Sequence, residues 1–418
     1  MFPADRQPSV TRAFTSLTRT AQAMALAVVL VACGGGGDAP PAAAQADPPQ
    51  VSTPAPDAGV DVGAVETGPG ALRGATPLGT VPTQAIIQAM ADSRLPAIVP
   101  VYDVETFRLT YMTSDGQGQP ILASGLLAVP RKAAGAASPV ISYQHATIFR
   151  DAEAPSNNPT AGEPSVVMAS MGYIVVAADY VGYGVSRGAP HPYLLSAPTA
   201  AAVVDLLRAA RTHAGRSGMV TNGQLFLVGY SEGAYATAAA HRALQDAGGD
   251  IAGTLVGSAP GGGPLDVGAT LDELLRRVRD ENALLGILVD PDLLQNLGSS
   301  LRRQVRDELL KKLLPADTDV VFQTTFIDNF LANDRAAISR DSDVHDWRPA
   351  APVRLFHGRE DQTVPFVASE HARQAMQARG APDVSLEECT AVPAGHLQCV
   401  PQYWQYMLSQ LALVVRDL

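Results

Sequence analysis

The sequence lacks several features that mark common classes of protein. Its apolar run at residues 21–32 is shorter than the roughly 20 residues that a membrane-spanning helix needs. The chain has 30 Lys and Arg against 41 Asp and Glu, and its net charge of −11 is spread without blocks, which argues against a nucleic-acid partner. Neither His-Glu-x-x-His nor Gly-x-x-x-x-Gly-Lys occurs, so neither a zinc hydrolase nor a P-loop enzyme is indicated.

Cysteine is scarce as well, with three in 418 residues. The first ends the sequence Leu30-Val31-Ala32-Cys33, which resembles a bacterial lipobox and follows a basic segment and the apolar run. We therefore expect a lipoprotein signal peptide at residues 1–33 with Cys33 lipidated; the alternative is an ordinary export signal with an incidental cysteine. Because Gly34 rather than Asp follows, we expect an anchor in the outer membrane, facing the periplasm or the cell surface.

The other two cysteines, Cys389 and Cys399, are predicted to form a disulfide, because an exported chain has an oxidant available. The competing picture is a pair of buried free thiols. Residues 34–80 are rich in Gly, Ala and Pro with few large apolar side chains, which predicts a disordered tether. We place the folded catalytic domain at residues 81–418.

The pattern of apolar residues within 81–418 predicts an α/β fold. Two β-prone runs flank Asp115-Gly116-Gln117-Gly118, as in an antiparallel hairpin. Six continuous apolar runs then alternate with helical segments, which is typical of a doubly wound, mostly parallel sheet. These runs begin at Pro139, Tyr173, Leu225, Ile251, Val353 and Val384. Residues 264–347 lack such a run and are amphipathic, so we expect a helical cap inserted there.

A Gly-Tyr-Ser-Glu-Gly sequence around Ser231 lies between an apolar run and an alanine-rich segment. A serine between glycines can be an ordinary turn residue. At a strand-to-helix junction it is also the pattern of a nucleophile elbow, which exposes the serine hydroxyl above a parallel sheet. Ser231 is therefore the candidate nucleophile.

A base and an acid follow in the order that the α/β-hydrolase fold uses. Asp361 comes shortly after the run at Val353, and His396 comes after the last run. An imidazole must take the serine proton, and a carboxylate must hold that imidazole in one tautomer. Glu360 is the rival acid; we prefer Asp361 because Val364-Pro365 follows it.

Backbone amides are the expected stabilisers of the oxyanion. The first is the N–H of Glu232, the residue after the nucleophile. The second is expected from the loop after the run at Pro139, with Ala146 preferred and Thr147 as the alternative.

Five stretches together resemble the secretory lipase family of α/β-hydrolases and its bacterial esterase relatives. They read SYQHATIF, ADYVGYGVSRGAPHPYL, GYSEG, HGREDQTVP and GHLQC. The resemblance runs from about residue 104 to 418. In that family the first stretch usually reads His-Gly-Thr, whereas Ala146 replaces the glycine here, which would make a positive φ costlier.

These observations predict an exported serine hydrolase that cleaves small-molecule or lipid esters through an acyl-enzyme, without a cofactor. A serine aminopeptidase or amidase on the same fold is the alternative, and a non-catalytic surface lipoprotein is a third interpretation. Asp341, Asp343 and Asp346 surround His345, but their spacing is not that of an EF-hand, so no metal is predicted.

Overall fold

A nine-stranded sheet forms the centre of the computed structural model, which describes residues 67–93 and 98–418. Its strand order is β1-β2-β3-β5-β4-β6-β7-β8-β9. Strands β1, β2, β3 and β5 pair antiparallel, and all pairs from β5 through β4 to β9 are parallel. The predicted mostly parallel sheet with a leading antiparallel hairpin is therefore confirmed. The strands are β1 Leu72–Val81, β2 Val104–Ser114, β3 Pro120–Pro130, β4 Ser138–Gln144, β5 Ile174–Ala178, β6 Thr221–Tyr230, β7 Leu255–Gly261, β8 Val353–His357 and β9 Val384–Glu388.

Two predicted boundaries are wrong. Strand β1 begins at Leu72, inside the segment predicted to be a disordered tether. It is an edge strand without a fully buried side chain, held by backbone pairing with β2, so it needs few large apolar side chains. The run predicted as a strand from Ile251 begins as a helix, and the strand starts only at Leu255. Cys33 and the predicted signal peptide lie outside the described residues.

Thirteen helices surround the sheet in the described part of the chain. They are α1 Thr83–Ser93, α2 Pro164–Ser170, α3 Ser196–Ser217, α4 Glu232–Ala247, α5 Gly249–Gly253, α6 Val267–Glu281, α7 Ala283–Leu288, α8 Pro291–Leu294, α9 Ser299–Leu313, α10 Thr325–Leu331, α11 Arg335–Asp341, α12 Val367–Ala378 and α13 Val400–Ala412. Among the residues searched, no helix combines the length and apolar character needed to cross a membrane.

Strand β6 shows why the apolar runs do not alternate. Phe226 and Val228 pack into one apolar cluster, with side chains of α2 and α13. Leu225 and Leu227 pack into another cluster, with side chains of α3 and α4. Because successive side chains of a strand point to opposite faces, both faces of β6 are buried along 225–228, and these four consecutive positions are all apolar.

Helices α6 to α11 occupy the interval between β7 and β8. They bury a third apolar cluster that includes Phe326 and Phe330 and continues to Tyr235 of α4. The short stretch around Phe322 also pairs with the main body, because His191 N–H donates to the Val321 carbonyl at 2.7 Å and Gln323 N–H donates to the His191 carbonyl at 2.8 Å.

Candidate active site

Ser231 lies at the turn between β6 and α4, in a backbone conformation that residues other than glycine rarely adopt. Its φ is 58° and its ψ is −123°. A Cβ on Gly229 would lie 2.4 Å from the Gly233 carbonyl oxygen, and a Cβ on Gly233 would lie 2.1 Å from the backbone carbonyl oxygen of Gln144. Both glycines are therefore required by the close approach of strand, helix and the end of β4.

A continuous chain of hydrogen bonds joins Ser231 to His396 and Asp361. Nδ1 of His396 lies 2.6 Å from Oδ2 of Asp361, and Nε2 lies 2.9 Å from Oγ of Ser231. Since a carboxylate can only accept, Nδ1 carries the proton and donates to Asp361. Nε2 is then the lone-pair acceptor for the serine hydroxyl, which is the arrangement that a general base needs.

Asp361 is fully buried and accepts several hydrogen bonds. Oδ1 accepts from the N–H groups of Thr363 and Val364, each at 2.8 Å, and Oδ2 lies 3.2 Å from Nε2 of His357. Burial by itself raises the pKa of Asp361, but the charge of His396 and the bonds from His357 and His396 outweigh it and lower that pKa below its ordinary value. The carboxylate therefore stays ionised beside the imidazole.

His357 is a site residue that the sequence reasoning missed. It is completely buried, and its Nδ1 lies 2.7 Å from Oγ of Ser369. Its Nε2 faces two oxygens, the Val364 carbonyl at 2.9 Å and Oδ2 of Asp361. Because both are acceptors, Nε2 carries a proton. The only signal in the sequence was its position at the end of the run that precedes Asp361.

Glu360, the rival acid, points elsewhere. Its side chain is exposed, and Oε2 accepts from the N–H of Ala394 at 2.9 Å, while its own N–H donates to the Ala394 carbonyl at 3.1 Å. Glu360 thus fastens the loop that carries His396 to the loop that carries Asp361. Its carboxylate makes no bond to the imidazole in the part of the chain that the structure describes.

The loop of His396 has two further attachments. Cys389 and Cys399 form a disulfide with a Cα–Cα distance of 5.8 Å, as predicted, so the competing picture of free thiols is wrong. The hydroxyl of Tyr230 donates to the His396 carbonyl at 2.6 Å. Tyr230, the residue before Ser231, therefore holds the backbone of His396.

The predicted oxyanion donor Glu232 and both candidates for the second donor, Ala146 and Thr147, have unpaired amides among the described residues. Within residues 67–93 and 98–418, no hydrogen-bond acceptor faces the N–H of Glu232, Ala146 or Thr147. The loop of Ala146 follows β4, whose last carbonyl approaches Gly233 closely. Ala146 does not adopt a positive φ, so replacing a glycine there causes no backbone strain.

The side chain of Glu232 forms a hydrogen bond with His191. Oε1 of Glu232 lies 2.7 Å from Nε2 of His191, and both side chains are almost completely buried. Nδ1 of His191 lies 2.9 Å from the Val181 carbonyl and therefore donates to it. This pair, which the sequence reasoning missed, links the residue after Ser231 to the stretch around Phe322.

Comparison with known proteins finds esterases and lipases among the similar chains. The model of the family described as Secretory lipase matches residues 165–290, which include Ser231 but neither Asp361 nor His396. No curated protein matches this chain in sequence.

Several solved structures have a similar fold. A protein from Legionella pneumophila assigned as a hydrolase is 22% identical with a TM-score of 0.65, over 82% of this chain and 97% of the other. A ligand-bound form of the rice cell wall degrading esterase LipA from Xanthomonas oryzae is 25% identical with a TM-score of 0.59, over 83% of this chain and 97% of the other. Lipase A from Candida antarctica in its closed state is 19% identical with a TM-score of 0.51, over 79% of each chain.

Proposed function

We propose that this chain, an α/β-hydrolase with esterase and lipase relatives, cleaves carboxylic esters through an acyl-enzyme on Ser231. The observation that carries the proposal is the unbroken chain of hydrogen bonds from Ser231 through His396 to Asp361, with distances of 2.9 and 2.6 Å. The free amides beside Ser231 and the match to secretory lipases support it.

The geometry supports an acylation step and a deacylation step. Nε2 of His396 takes the hydroxyl proton as Oγ of Ser231 attacks the ester carbonyl. The negative oxygen that forms is held by the N–H of Glu232 and by that of Ala146 or Thr147, where a single donor is worth roughly 10²–10³-fold in rate. His396 returns the proton to the departing alcohol. Water, activated by the same imidazole, then hydrolyses the acyl-enzyme and releases the acid.

The environment of Glu232 favours ester over amine-bearing peptide substrates. An aminopeptidase would need an acidic group facing the substrate amine. The carboxylate next to the nucleophile is buried and bonded to His191 instead. Export is supported by the similarity to secretory lipases. The lipid anchor on Cys33 and a place in the outer membrane rest on the sequence pattern alone.

The decisive experiment replaces Ser231 by alanine. We expect hydrolysis of p-nitrophenyl esters to fall by roughly 10⁴-fold or more while the melting temperature stays near that of the wild type, because the hydroxyl serves chemistry rather than packing. A fluorophosphonate should label the wild type and a Ser217→Ala control, in which an exposed serine of α3 is removed, but not Ser231→Ala. Activity within about tenfold of the wild type would exclude Ser231 as the nucleophile.

A paired assay tests the bond that is cleaved. The wild type should hydrolyse p-nitrophenyl esters much faster than aminoacyl anilides of similar size. A preference for the anilides, with labelling of Ser231 intact, would retain the nucleophile and overturn the esterase assignment.

A further inference from the structure

Two aspartates and two histidines meet where the helical segment α6 to α11 joins the rest of the fold. Asp266 immediately precedes α6, Asp343 and His345 follow α11, and His371 lies on α12. We call these four residues the neck cluster. They share no residue with the site around Ser231, so a role for the neck cluster does not depend on the proposed function.

The neck cluster joins both ends of the helical segment. The N–H of Val344 donates to the Leu265 carbonyl at 3.0 Å, which places the chain entering the segment beside the chain leaving it. His371 belongs to neither end, because α12 follows β8. An ion held by all four side chains would therefore fasten the segment to the body.

The distances are close to those of a metal site. Oδ2 of Asp266 lies 2.9 Å from Nδ1 of His371 and 3.6 Å from Nε2 of His345. One ligand atom each from Asp266, Asp343 and His345 lie within 4.8 Å of one another. In a tetrahedral zinc site with bonds near 2.0–2.1 Å, the ligand atoms are roughly 3.4 Å apart. The atoms of Asp266, Asp343 and His345 are thus close enough to share one ion, and His371 adjoins them through its contact with Asp266.

Backbone amides already orient both carboxylates. Oδ1 of Asp266 accepts from the N–H of Ala269 at 2.8 Å. Oδ1 of Asp343 accepts from the N–H groups of Val267 and Gly268 at 2.9 and 3.3 Å. Each carboxylate keeps its second oxygen for another partner, and such outer contacts are what hold metal ligands in place.

The two adjacent carboxylates of the neck cluster have no arginine partner among the described residues. In addition, Nδ1 of His345 is buried and has no hydrogen-bond partner within residues 67–93 and 98–418.

The neighbouring aspartates do not belong to the cluster. Asp341 bonds to Arg340, and Asp346 bonds to Arg379 at 2.7 and 2.8 Å. The sequence grouping of Asp341, Asp343 and Asp346 therefore does not form in space. Instead, Asp266 lies beside Asp343 and His345, and His371 lies beside Asp266, although both Asp266 and His371 are far from residues 341–346 in the chain.

We propose that the neck cluster is a structural site for a divalent metal ion, with zinc as its ion, bound by Asp266, Asp343, His345 and His371. Two imidazole nitrogens and two carboxylate oxygens form a donor set that suits zinc and disfavours calcium, which prefers six or more oxygens. Four protein ligands leave no open position, so the ion stabilises the neck and takes no part in a reaction.

The test uses the purified, tag-free chain, stripped with EDTA and then exchanged into chelator-free buffer. Added Zn²⁺ should raise the melting temperature by several degrees, and elemental analysis after gel filtration should find one zinc per chain. His371→Gln and Asp343→Asn should weaken zinc binding at least about tenfold. Asp346→Asn is the matched control, because that residue lies in the same loop and bonds to Arg379 instead.

His371→Gln decides the matter if Asp343→Asn folds poorly, because the His371 side chain is 44% exposed and its replacement leaves the packing intact. A chain that retains no zinc and shows no shift in melting temperature would overturn the proposal. So would equal zinc affinity in the wild type and in His371→Gln, or a shift with Ca²⁺ but none with Zn²⁺.

Discussion

Ser231 shows how a single residue can be placed for reactivity at the expense of local stability. A positive φ on a residue other than glycine costs roughly 1–3 kcal/mol and persists only where the surroundings determine it. Here the surroundings are specific: the N–H of Ser231 donates to the Gly261 carbonyl at 2.8 Å, and its own carbonyl accepts from Ala234 and Tyr235. The fold thus gives up stability to keep the hydroxyl facing His396.

His357 offers the sharpest prediction at the residue scale. His357→Phe should lower kcat about tenfold to a hundredfold with little change in KM, because the Asp361 carboxylate loses one hydrogen-bond donor and holds His396 less firmly. Steady-state kinetics on a p-nitrophenyl ester measure the effect.

Two further variants separate positioning from general loosening. His357→Gln keeps a donor near Asp361 and should recover part of the lost kcat. Ser369→Ala removes the other partner of His357 without touching Asp361, and its effect on kcat should be smaller. Equal losses in all three variants would contradict a specific role for the bond to Asp361.

At the scale of elements, α2 begins with a buried carboxyl cap. Oε2 of Glu163 accepts from the N–H groups of Ser165 and Val166 at 2.6 and 3.1 Å. Burial raises the pKa of Glu163 to about 7, although the hydrogen bonds from Val166 and Ser165 oppose the shift. The ordinary value for this side chain is 4.5, so the folded state binds the proton more tightly than the unfolded state.

The raised pKa of Glu163 makes the folded state less stable as the pH rises. Between pH 4.5 and about 7 the unfolded chain has lost this proton while the folded chain keeps it, so the free energy of unfolding falls with increasing pH. The full effect is roughly 3 kcal/mol, because one pKa unit corresponds to about 1.4 kcal/mol.

Glu163→Gln should remove this decline, because the amide has no proton to lose and can still accept the cap hydrogen bonds. Urea unfolding at pH 5, 6 and 7 measures it. Parallel curves of stability against pH for the wild type and the variant would show that Glu163 is ionised in the folded protein throughout this range.

The loop between β9 and α13 yields a prediction about the disulfide. Its two cysteines are 10 residues apart, and closing such a loop contributes on the order of 3 kcal/mol in the chain-entropy model. Replacing both Cys389 and Cys399 by serine should reduce kcat even in molecules that remain folded, because this loop holds His396 in place. The loss of kcat should therefore exceed the loss expected from unfolding alone.

The comparison is made well below the melting temperature, where the folded fraction is complete. There kcat should still be reduced, and fluorophosphonate labelling of Ser231 should be slower. Unchanged kcat in the folded double variant would mean that Tyr230 and Glu360 are sufficient to position the loop.

At the scale of the whole molecule, the lipid anchor proposed for Cys33 can be tested by fractionation. No described helix can cross a membrane, and Cys33 lies outside the described residues. If Cys33 carries lipid, Cys33→Ser should move the protein from the membrane fraction to the soluble periplasmic fraction, because the apolar segment before it is removed on export.

Cell fractionation with immunoblotting measures the shift, and intact mass spectrometry of the mature wild type should show the added acyl groups. Ser231→Ala, which alters only the active site, should stay with the membranes. A mature chain without acyl groups would refute the anchor and leave the esterase proposal untouched.

The sequence by itself determined the fold class, the disulfide and the order of Ser231, Asp361 and His396 at the ends of apolar runs. These features are readable because they depend on near neighbours: the period of apolar residues, the glycines of a tight turn, and the chain order that a parallel sheet imposes. The two boundary errors have different causes. Strand β1 is held mainly by backbone pairing, which leaves little apolar pattern in its sequence. The apolar residues from Ile251 begin in a short helix that the pattern does not distinguish from a strand.

Only the tertiary structure decided which distant side chains meet. His191 reaches Glu232 and Asp266 reaches His371 through contacts that no local pattern encodes, whereas His357 and Asp361 meet across four residues at the end of β8. Their energies depend on separations of a few ångströms between segments up to about a hundred residues apart in the chain, and on the burial that lowers the local dielectric. Neither quantity exists until the sheet and its helices have packed.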